Sequence, residues 1–500
     1  MIVRVSKATP PPSGRKPGRN LAPRQVRGLT QKLVAYHRQY ASAFHRKEQR
    51  FWALKYMQGQ MLEIERKSIE PMAQALEDGN IQAMQQFVSQ GAWSDTELIR
   101  THQERVAQTL GRRNGVLILD GCDYPKQGND SVGVARQYCG PLGKIAHCQA
   151  SVVLAYASEA GQTLLDRRLY LPKAWFAEAH RERWRKCGIP KDTTFRTTPE
   201  LGAEMIDALL ASAIVPFQWV TMDEGYGRAP HLLDRIHAHG KYFFAEVPRS
   251  TRGWRSRPKV VPPGPPPATG RHPTVTYLAS DAPAAQRVEH IAQTLPKKHW
   301  QQFIVHEGTK GPIAVEVAAV RVVMVDDALP GRAEWLVIRR PIGQSARKAW
   351  KFFRCNAPRR TSLKTLARLT AWRWPVETVI EECKSELGLD HYEVRTWKGW
   401  HHHTAMTMLS HQFLVEFRVE MEAEAPALTV SQVRQLLQVV LPKRELDEAA
   451  VIAEIERVQQ RNYAAYRSHR KHRRQTLRKS KPNSRCRTSS HPKTPRIGMA

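Results

Sequence analysis

Two short apolar runs, each closing on an acid and each too short for a helix, limit this chain more than any other feature. Residues 115–120 read GVLILD and residues 217–223 read FQWVTMD. Runs of about 4–8 apolar and β-branched residues between turn residues read as buried strands. Two further strand patterns, 148–158 and 168–171, and an amphipathic helical pattern, 199–212, lie between them; a strand pattern at 242–247 follows. Strands joined by a helix in this order predict an α/β sheet, whose ligands gather outside the carboxyl ends of its strands. An acid closing a strand says little alone, because turns commonly begin with Asp.

The flanks change period. Residues 29–110 carry helical spacing, with Leu33, Tyr36, Tyr40 and Phe44 on one stripe. Ser68 reads as the cap of a new helix with Pro71 in its first turn, and Asp78-Gly79-Asn80 and Trp93-Ser94-Asp95 read as breaks. After the core comes VVPPGPPPATGRHP, within residues 258–273, which no central strand or helix tolerates. Strand patterns at 313–325, 334–340 and 351–355 follow it. Helical spacing resumes at Leu363, with expected breaks at Pro375, Gly388 and Gly399, and two more helices are expected at 430–440 and 446–466. The predicted organisation is a basic arm (1–28), a helical region (29–110), a core in two pieces (111–248 and 363–420), a β-rich insertion with the Pro-rich loop (249–362), C-terminal helices (421–466) and a basic disordered tail (467–500).

Charge narrows the partner. Lys plus Arg number 78 against 46 Asp plus Glu, a net charge of +32. That excess argues against an enzyme of small neutral metabolites and for a polyanion, most simply nucleic acid. Residues 1–47 hold eleven Lys or Arg and no acid, and residues 461–500 hold thirteen and no acid. Such ends are either solvated tails or phosphate contacts that gain affinity by counterion release. No apolar run approaches the roughly 18–20 residues of a membrane span. The seven cysteines include no CxxC pair, which fits a reducing cytosol.

A third acid lies on a helical pattern, RWPVETVIEECK, residues 373–384. Arg373, Glu377 and Lys384 fall on one face, with Glu381 close to it. Such a stripe is either a set of surface ion pairs or a metal-ligating acid between phosphate-binding cations. The flanking Trp372 and Trp374 and the included Ile380 favour a partly buried face. Metal-assisted phosphodiester chemistry needs carboxylates from separate elements converging on hard cations. Several other residues have two readings. The stretch with Lys126, Gly133, Gly140, Gly143 and Lys144 lacks the order of a nucleotide-binding loop, and is either a tight turn or a phosphate contact. Trp254, among Arg249, Arg252, Arg255 and Arg257, either stacks on an unpaired base or packs in its own domain. Cys122 has no paired base, and the adjacent His401, His402 and His403 point in different directions on a helix, which argues against zinc.

Taken together, three segments resemble the DDE insertion-sequence transposases, and within them the branch with a Tyr-Arg-Glu-Lys helix signature. They are LILDGCDYPKQGNDSVGVARQYCGPLGKIAHCQASVVLAY (117–156), FQWVTMDEGYGRAP with FFAEVPR (217–230 and 243–249), and RWPVETVIEECKSELGLDHYEVRTWKGWHHHTAM (373–406). With ERKSIEPMA (65–73), the resemblance covers about residues 20–420. It implies an α/β fold with an RNase H-like catalytic core, a β-rich insertion between the second and third acids, and helical N-terminal and C-terminal regions, with residues 29–110 a DNA-binding region. It implies a catalytic, metal-binding triad of Asp120, Asp223 and Glu377 and two Mg2+ (or Mn2+) ions. Arg373 and Lys384 take the signature's basic positions. Thr370 stands where the signature has Tyr, and Gly121 stands where many relatives have a second acid. Lys126, Arg136, Thr370 and Trp254 join Arg373 and Lys384 as expected DNA contacts. The implied activity is metal-dependent cutting of element ends and their joining to target DNA. The implied partners are double-stranded DNA, as terminal repeats and target, and a second copy in a homodimer on paired ends. The implied setting is the bacterial cytoplasm, with the nucleoid. The competing reading is a catalytically inactive, transposase-derived DNA-binding protein or repressor.

Overall fold

The computed structural model describes residues 21–264, 274–308, 311–342, 349–445 and 447–479. The extremes of both basic arms, the centre of the Pro-rich run and Leu446 lie outside the described residues. The chain forms two units that meet in sequence at Lys443 and Arg444.

Among the described residues, six helices open the first unit: α1 (Pro23–Arg27), α2 (Leu29–Arg38), α3 (Lys47–Met61), α4 (Ile69–Ala75), α5 (Ile81–Ser89) and α6 (Asp95–Thr109). Local chemistry sets their starts. The Asn80 side chain accepts from the Ala83 N–H, and the Ser94 hydroxyl accepts from the Glu97 N–H. Next come β1 (Val116–Pro125), β2 (Ala135–Cys139), β3 (Lys144–Ser158), β4 (Gly161–Tyr170), α7 (Arg181–Cys187), α8 (Thr198–Ser212), β5 (Trp219–Met222), α9 (Glu224–Gly227), α10 (Pro230–Ala238) and β6 (Tyr242–Val247). The insertion supplies β7 (Arg252–Trp254), β8 (Val260–Val261), β9 (Tyr277–Leu278), β10 (Gln286–Arg287), α11 (Val288–Gln293), β11 (Gln301–Gly308), β12 (Gly311–Asp326), β13 (Leu329–Pro341) and β14 (Lys351–Cys355). The chain then forms α12 (Leu363–Leu369), α13 (Trp374–Ser385), α14 (Trp397–Glu420) and α15 (Val430–Val440), and the second unit holds α16 (Glu448–Lys479).

The result is the expected mixed α/β architecture, with helices at both ends. One mixed sheet runs in the order β10-β7-β12-β13-β14-β6-β5-β1-β3-β2, with β11 on β12 and β4 on β3. β5 pairs in parallel with both β1 and β6. The insertion does not form a separate layer. Its last strand, β14, pairs antiparallel with β6 and so extends the core sheet.

The N-terminal helices close around α14, which is buried on nearly every side. Tyr36 donates to the Leu409 carbonyl, and the Gln60 amide donates to the Thr407 hydroxyl. A helix buried all round must satisfy its polar side chains internally. The histidines obey that rule separately. His401 faces the Trp397 carbonyl, His402 the Val88 carbonyl, and His403 the Leu389 carbonyl and Tyr56 hydroxyl.

Several boundaries differ from those expected. Residues 23–27 of the basic arm are helical, and α1 packs against α15. Pro375 does not break a helix; it sits in the first turn of α13, where its missing N–H costs nothing. Gly399 lies inside α14, three residues past the Thr396 cap. α16 continues through residues 467–479, where a disordered tail was expected, because Ala, Arg, Lys and Gln favour helix and the first breaker is Pro482. In α15 Val433 and Leu437, with the following Leu441, are buried within their own unit.

Candidate active site

The parallel pairing of β1 with β5 builds the centre of the site. It ends at Leu119 opposite Met222, so Asp120 and Asp223 are the next residue on each strand. Asp120 does not close its strand, contrary to the sequence reading. β3 is long enough to pair with β1 through Pro125, whereas β5 stops at Met222. Asp223 caps α9, its carboxylate accepting from the Tyr226 N–H at 3.2 Å. α9 lies tight on β6, for a Cβ on Gly227 would run into the Glu246 carbonyl oxygen.

Glu377 arrives on α13, whose two ends are tied to β1. At the first, the Arg373 guanidinium donates to Asp120 Oδ2 at 3.0 Å and also to Glu377 Oε1. At the second, Lys384 Nζ donates to the Asp123 carbonyl at 2.8 Å. Between them Glu382 meets the buried His411 at 2.9 Å, and Cys383 is fully buried, which fixes the rotation of the helix. Arg373, Glu377 and Lys384 therefore face the same strand, as their spacing predicted.

The electrostatics fit a gathered set of acids. Burial pushes the Asp120 carboxyl up and Arg373 pulls it down; the charges of Asp223 and Glu377 raise it again, to about 6. Burial opposes the charge on Arg373, but Asp120 and Glu377 outweigh it and hold the guanidinium charged. Burial, and then Asp120, Asp223 and Asp123, push the Tyr226 hydroxyl well above its ordinary range. Asp120, Glu377, Lys384 and Asp390, together with Gly140 and Pro141, line a groove of about 560 Å3.

The three acids offer only carboxylate oxygens, the donors that hard divalent cations prefer. Among the described residues, no three such side chains stand close enough to hold one ion as they lie. The guanidinium of Arg373 bridges Asp120 and Glu377 in this arrangement. The donor set and the excess of negative charge around Asp120 fit a divalent cation.

The remaining expected DNA contacts fare unequally. Arg136 is exposed on β2. Lys126 is half-buried; its ammonium donates to the Tyr392 carbonyl and lies 3.4 Å from the centre of the Tyr392 ring, and burial lowers its pKa to about 8. Thr370 must be withdrawn as a contact. It is buried, and its hydroxyl donates to the Ala367 carbonyl in its own helix. Trp254 must be withdrawn as a stacking platform. Its ring is buried against β12, and its indole N–H donates to the Pro283 carbonyl. Cys122 is buried as well, and burial raises its thiol.

Sequence reasoning missed Asp123 and Arg339. Asp123 anchors both Lys384, through its carbonyl, and the Gly140 N–H, through its carboxylate. Its place three residues beyond Asp120 was the available signal. Arg339 reaches across from β13 to the Thr370 carbonyl at 2.7 Å, a long-range contact with no signature in spacing.

A family model described as "DDE superfamily endonuclease" matches residues 39–312. That span includes Asp120 and Asp223 and stops before Glu377. The "Probable transposase for insertion sequence element IS701" of Microchaete diplosiphon is 29% identical over 203 residues, which is 40% of this chain and 49% of that protein. The chain thus spans about half the length of this curated relative.

Proposed function

Because the chain belongs to the DDE superfamily endonucleases, we infer that it is the transposase of a bacterial insertion sequence, cutting the ends of its element and joining them to target DNA. The observation that carries this reading is the convergence of Asp120 and Asp223, side by side past the last paired residues of β1 and β5, with Glu377 linked to Asp120 through Arg373.

In this reading Asp120, Asp223 and Glu377 would hold two divalent cations, Mg2+ or Mn2+. Bound cations supply the charge that activates a water and stabilises the departing oxygen. The protein's own residues set the geometry. Arg373 and Lys384, at the two ends of the Glu377 helix, hold the phosphates on either side of the bond to be cut. Water adds at phosphorus and the 3′ oxygen leaves as a free hydroxyl. That hydroxyl then attacks a phosphodiester of the target, forming a new bond to its phosphorus as the target strand's own 3′ oxygen leaves. Both steps are in-line displacements, so one site serves both.

The partner is double-stranded DNA. The uneven charge supports it, since the acid-free ends carry 24 Lys or Arg. Cutting two ends together calls for a homodimer, and α16 offers Val451, Ile452 and Ile455 on its exposed surface. No helix among the described residues is long and apolar enough to cross a membrane, and we place the protein with the DNA of the bacterial cytoplasm.

The test is incubation with a duplex carrying the element's own terminal repeats, with Mg2+ or Mn2+ and with a chelator. Cut ends bearing a 3′-hydroxyl, and their joining to a second DNA in metal only, are the expected products. Binding without cutting under any metal would replace this reading with the inactive repressor. Cutting without joining would leave a nuclease.

A further inference from the structure

The hairpin β2–β3 presents an apolar surface to solvent beside the catalytic groove. Tyr138 is 65% exposed, Ile145 62% and Leu142 45%. Tyr138 pairs directly opposite Ile145, and Arg136 opposite His147. Directly opposed residues share a face of a two-stranded ribbon, so Arg136, Tyr138, Ile145 and His147 form one face. The buried Cys139 and Cys148 anchor the hairpin from within. Burying Tyr138 and Ile145 would be favourable, yet no described residue covers them.

The tip is held firmly and points at the groove. Its short turn, Gly140–Leu142, ends at Gly143 in the left-handed region, with φ of 61°. The Gly140 N–H donates to the Asp123 carboxylate at 2.9 Å, three residues along β1 from Asp120. Gly140 and Pro141 line the same groove as Asp120 and Glu377. Arg136 is exposed on the same face as the apolar pair, Lys144 opposes the inward-facing Cys139 at the turn end of the ribbon, and residues 131–158 contain no Asp or Glu.

We propose that this hairpin face holds an unpaired base of the DNA strand next to the phosphodiester in the groove. The base stacks on Tyr138, Ile145 and Leu142 form its apolar wall, and Arg136 takes a flanking phosphate. The inference rests on the reading of the groove as a DNA-cutting site. An aromatic ring beside a cation, on a ribbon without acids, matches a nucleotide, which offers a π face beside a negative charge. The same ring without the cation would suit a protein surface equally well. The firm tip matters too, since a base splayed out of a duplex must be received by a surface already in place.

The experiment is a cycle on the full-length protein. Wild type, Tyr138→Ala and Tyr138→Phe are compared on duplexes carrying the terminal repeat, either intact or with one abasic position. The abasic position is scanned through the nucleotides flanking the cut. On intact DNA, Tyr138→Ala should weaken binding roughly ten- to hundredfold and Tyr138→Phe should restore it. At one abasic position the effect of Tyr138→Ala should vanish, because the stacking partner is already gone. Equal loss at every abasic position, or no loss at all, would overturn the inference while leaving a cutting wild type, and so the proposed function, intact. A Tyr138→Ala protein that binds normally but changes its oligomeric state would overturn it in favour of a second copy. A wild type that neither binds nor cuts the repeat would remove the proposed function and this inference with it.

Discussion

Arg373 is the residue on which the site turns. It is the cation that lets Asp120, buried beside two further acids, stay where it is. Its place on the face of Glu377 was legible because spacing along a helix is a local property, and Arg373, Glu377 and Lys384 need only the 3.6-residue repeat to share a face; its bond to Asp120, 253 residues away in sequence, was not. Thr370 and Trp254 were not legible, because side-chain burial is settled by distant packing. Thr370 occupies a position where an aromatic phosphate contact was expected, yet its hydroxyl is committed to the Ala367 carbonyl. Thr370→Val, nearly the same shape without that hydroxyl, should therefore leave DNA affinity unchanged within about twofold while costing roughly 1 kcal/mol of stability. A fluorescence-anisotropy titration checks this; a tenfold loss of affinity would restore Thr370 to the interface.

Elements carry the next level of the account. α9 is only four residues long, and its position decides where Asp223 points. Gly227→Ala should push α9 away from β6, because the new methyl meets the Glu246 carbonyl. A loss of about 1–3 kcal/mol in urea denaturation, with a larger fall in cutting than in DNA binding, is the expected outcome. α16 makes a separate claim. Arg467, Arg470, Lys471 and Arg474 follow a spacing of three, four and seven, so they stack on one exposed side below Tyr463 and Tyr466. Like charges so placed repel and weaken an isolated helix; a polyanion relieves them. Changing all four to Gln should flatten the dependence of log affinity on log salt by about three to four units, at roughly 0.9 per lost phosphate contact. An unchanged slope would show that the helix does not touch DNA. The sequence displayed the basic composition of this segment but not its helix, because composition alone fits a solvated tail equally well. Likewise β1 outran its expected end because its length is set by β3, a partner that only pairing reveals.

At the scale of the molecule, one sheet runs from the first piece of the core into the insertion, and the second piece, residues 363–420, is helical. The strand patterns were readable, with 242–247 and 351–355 recovered to the residue. Their adjacency was not, because β14 meets β6 across a hundred residues of chain and no local pattern encodes that pairing. The same packing imposes a pH limit. Burial lowers His37, His102 and His402 to about 4 and His403 to about 3. An unfolded histidine titrates near 6.5, so below that pH the unfolded chain binds protons that the folded chain refuses. Stability is thus complete above about pH 7 and falls as pH drops through 6.5 toward 4, by up to about 1.4 kcal/mol per pH unit for each histidine. Urea midpoints should drop sharply between pH 7.5 and 5; a flat profile over that interval would mean these rings are not buried neutral.

The central claim is that Asp120, Asp223 and Glu377 act together as one cutting site. The most direct measurement compares wild type with Asp120→Asn, Asp223→Asn and Glu377→Gln on the element's terminal repeats, following binding and Mg2+-dependent cleavage in parallel. Each variant should bind about as well as wild type and cut at least about a thousandfold more slowly, since several kcal/mol of charge stabilisation is lost at about 1.4 kcal/mol per factor of ten. A variant lacking any one of these carboxylates that still cuts at the wild-type rate would contradict the account.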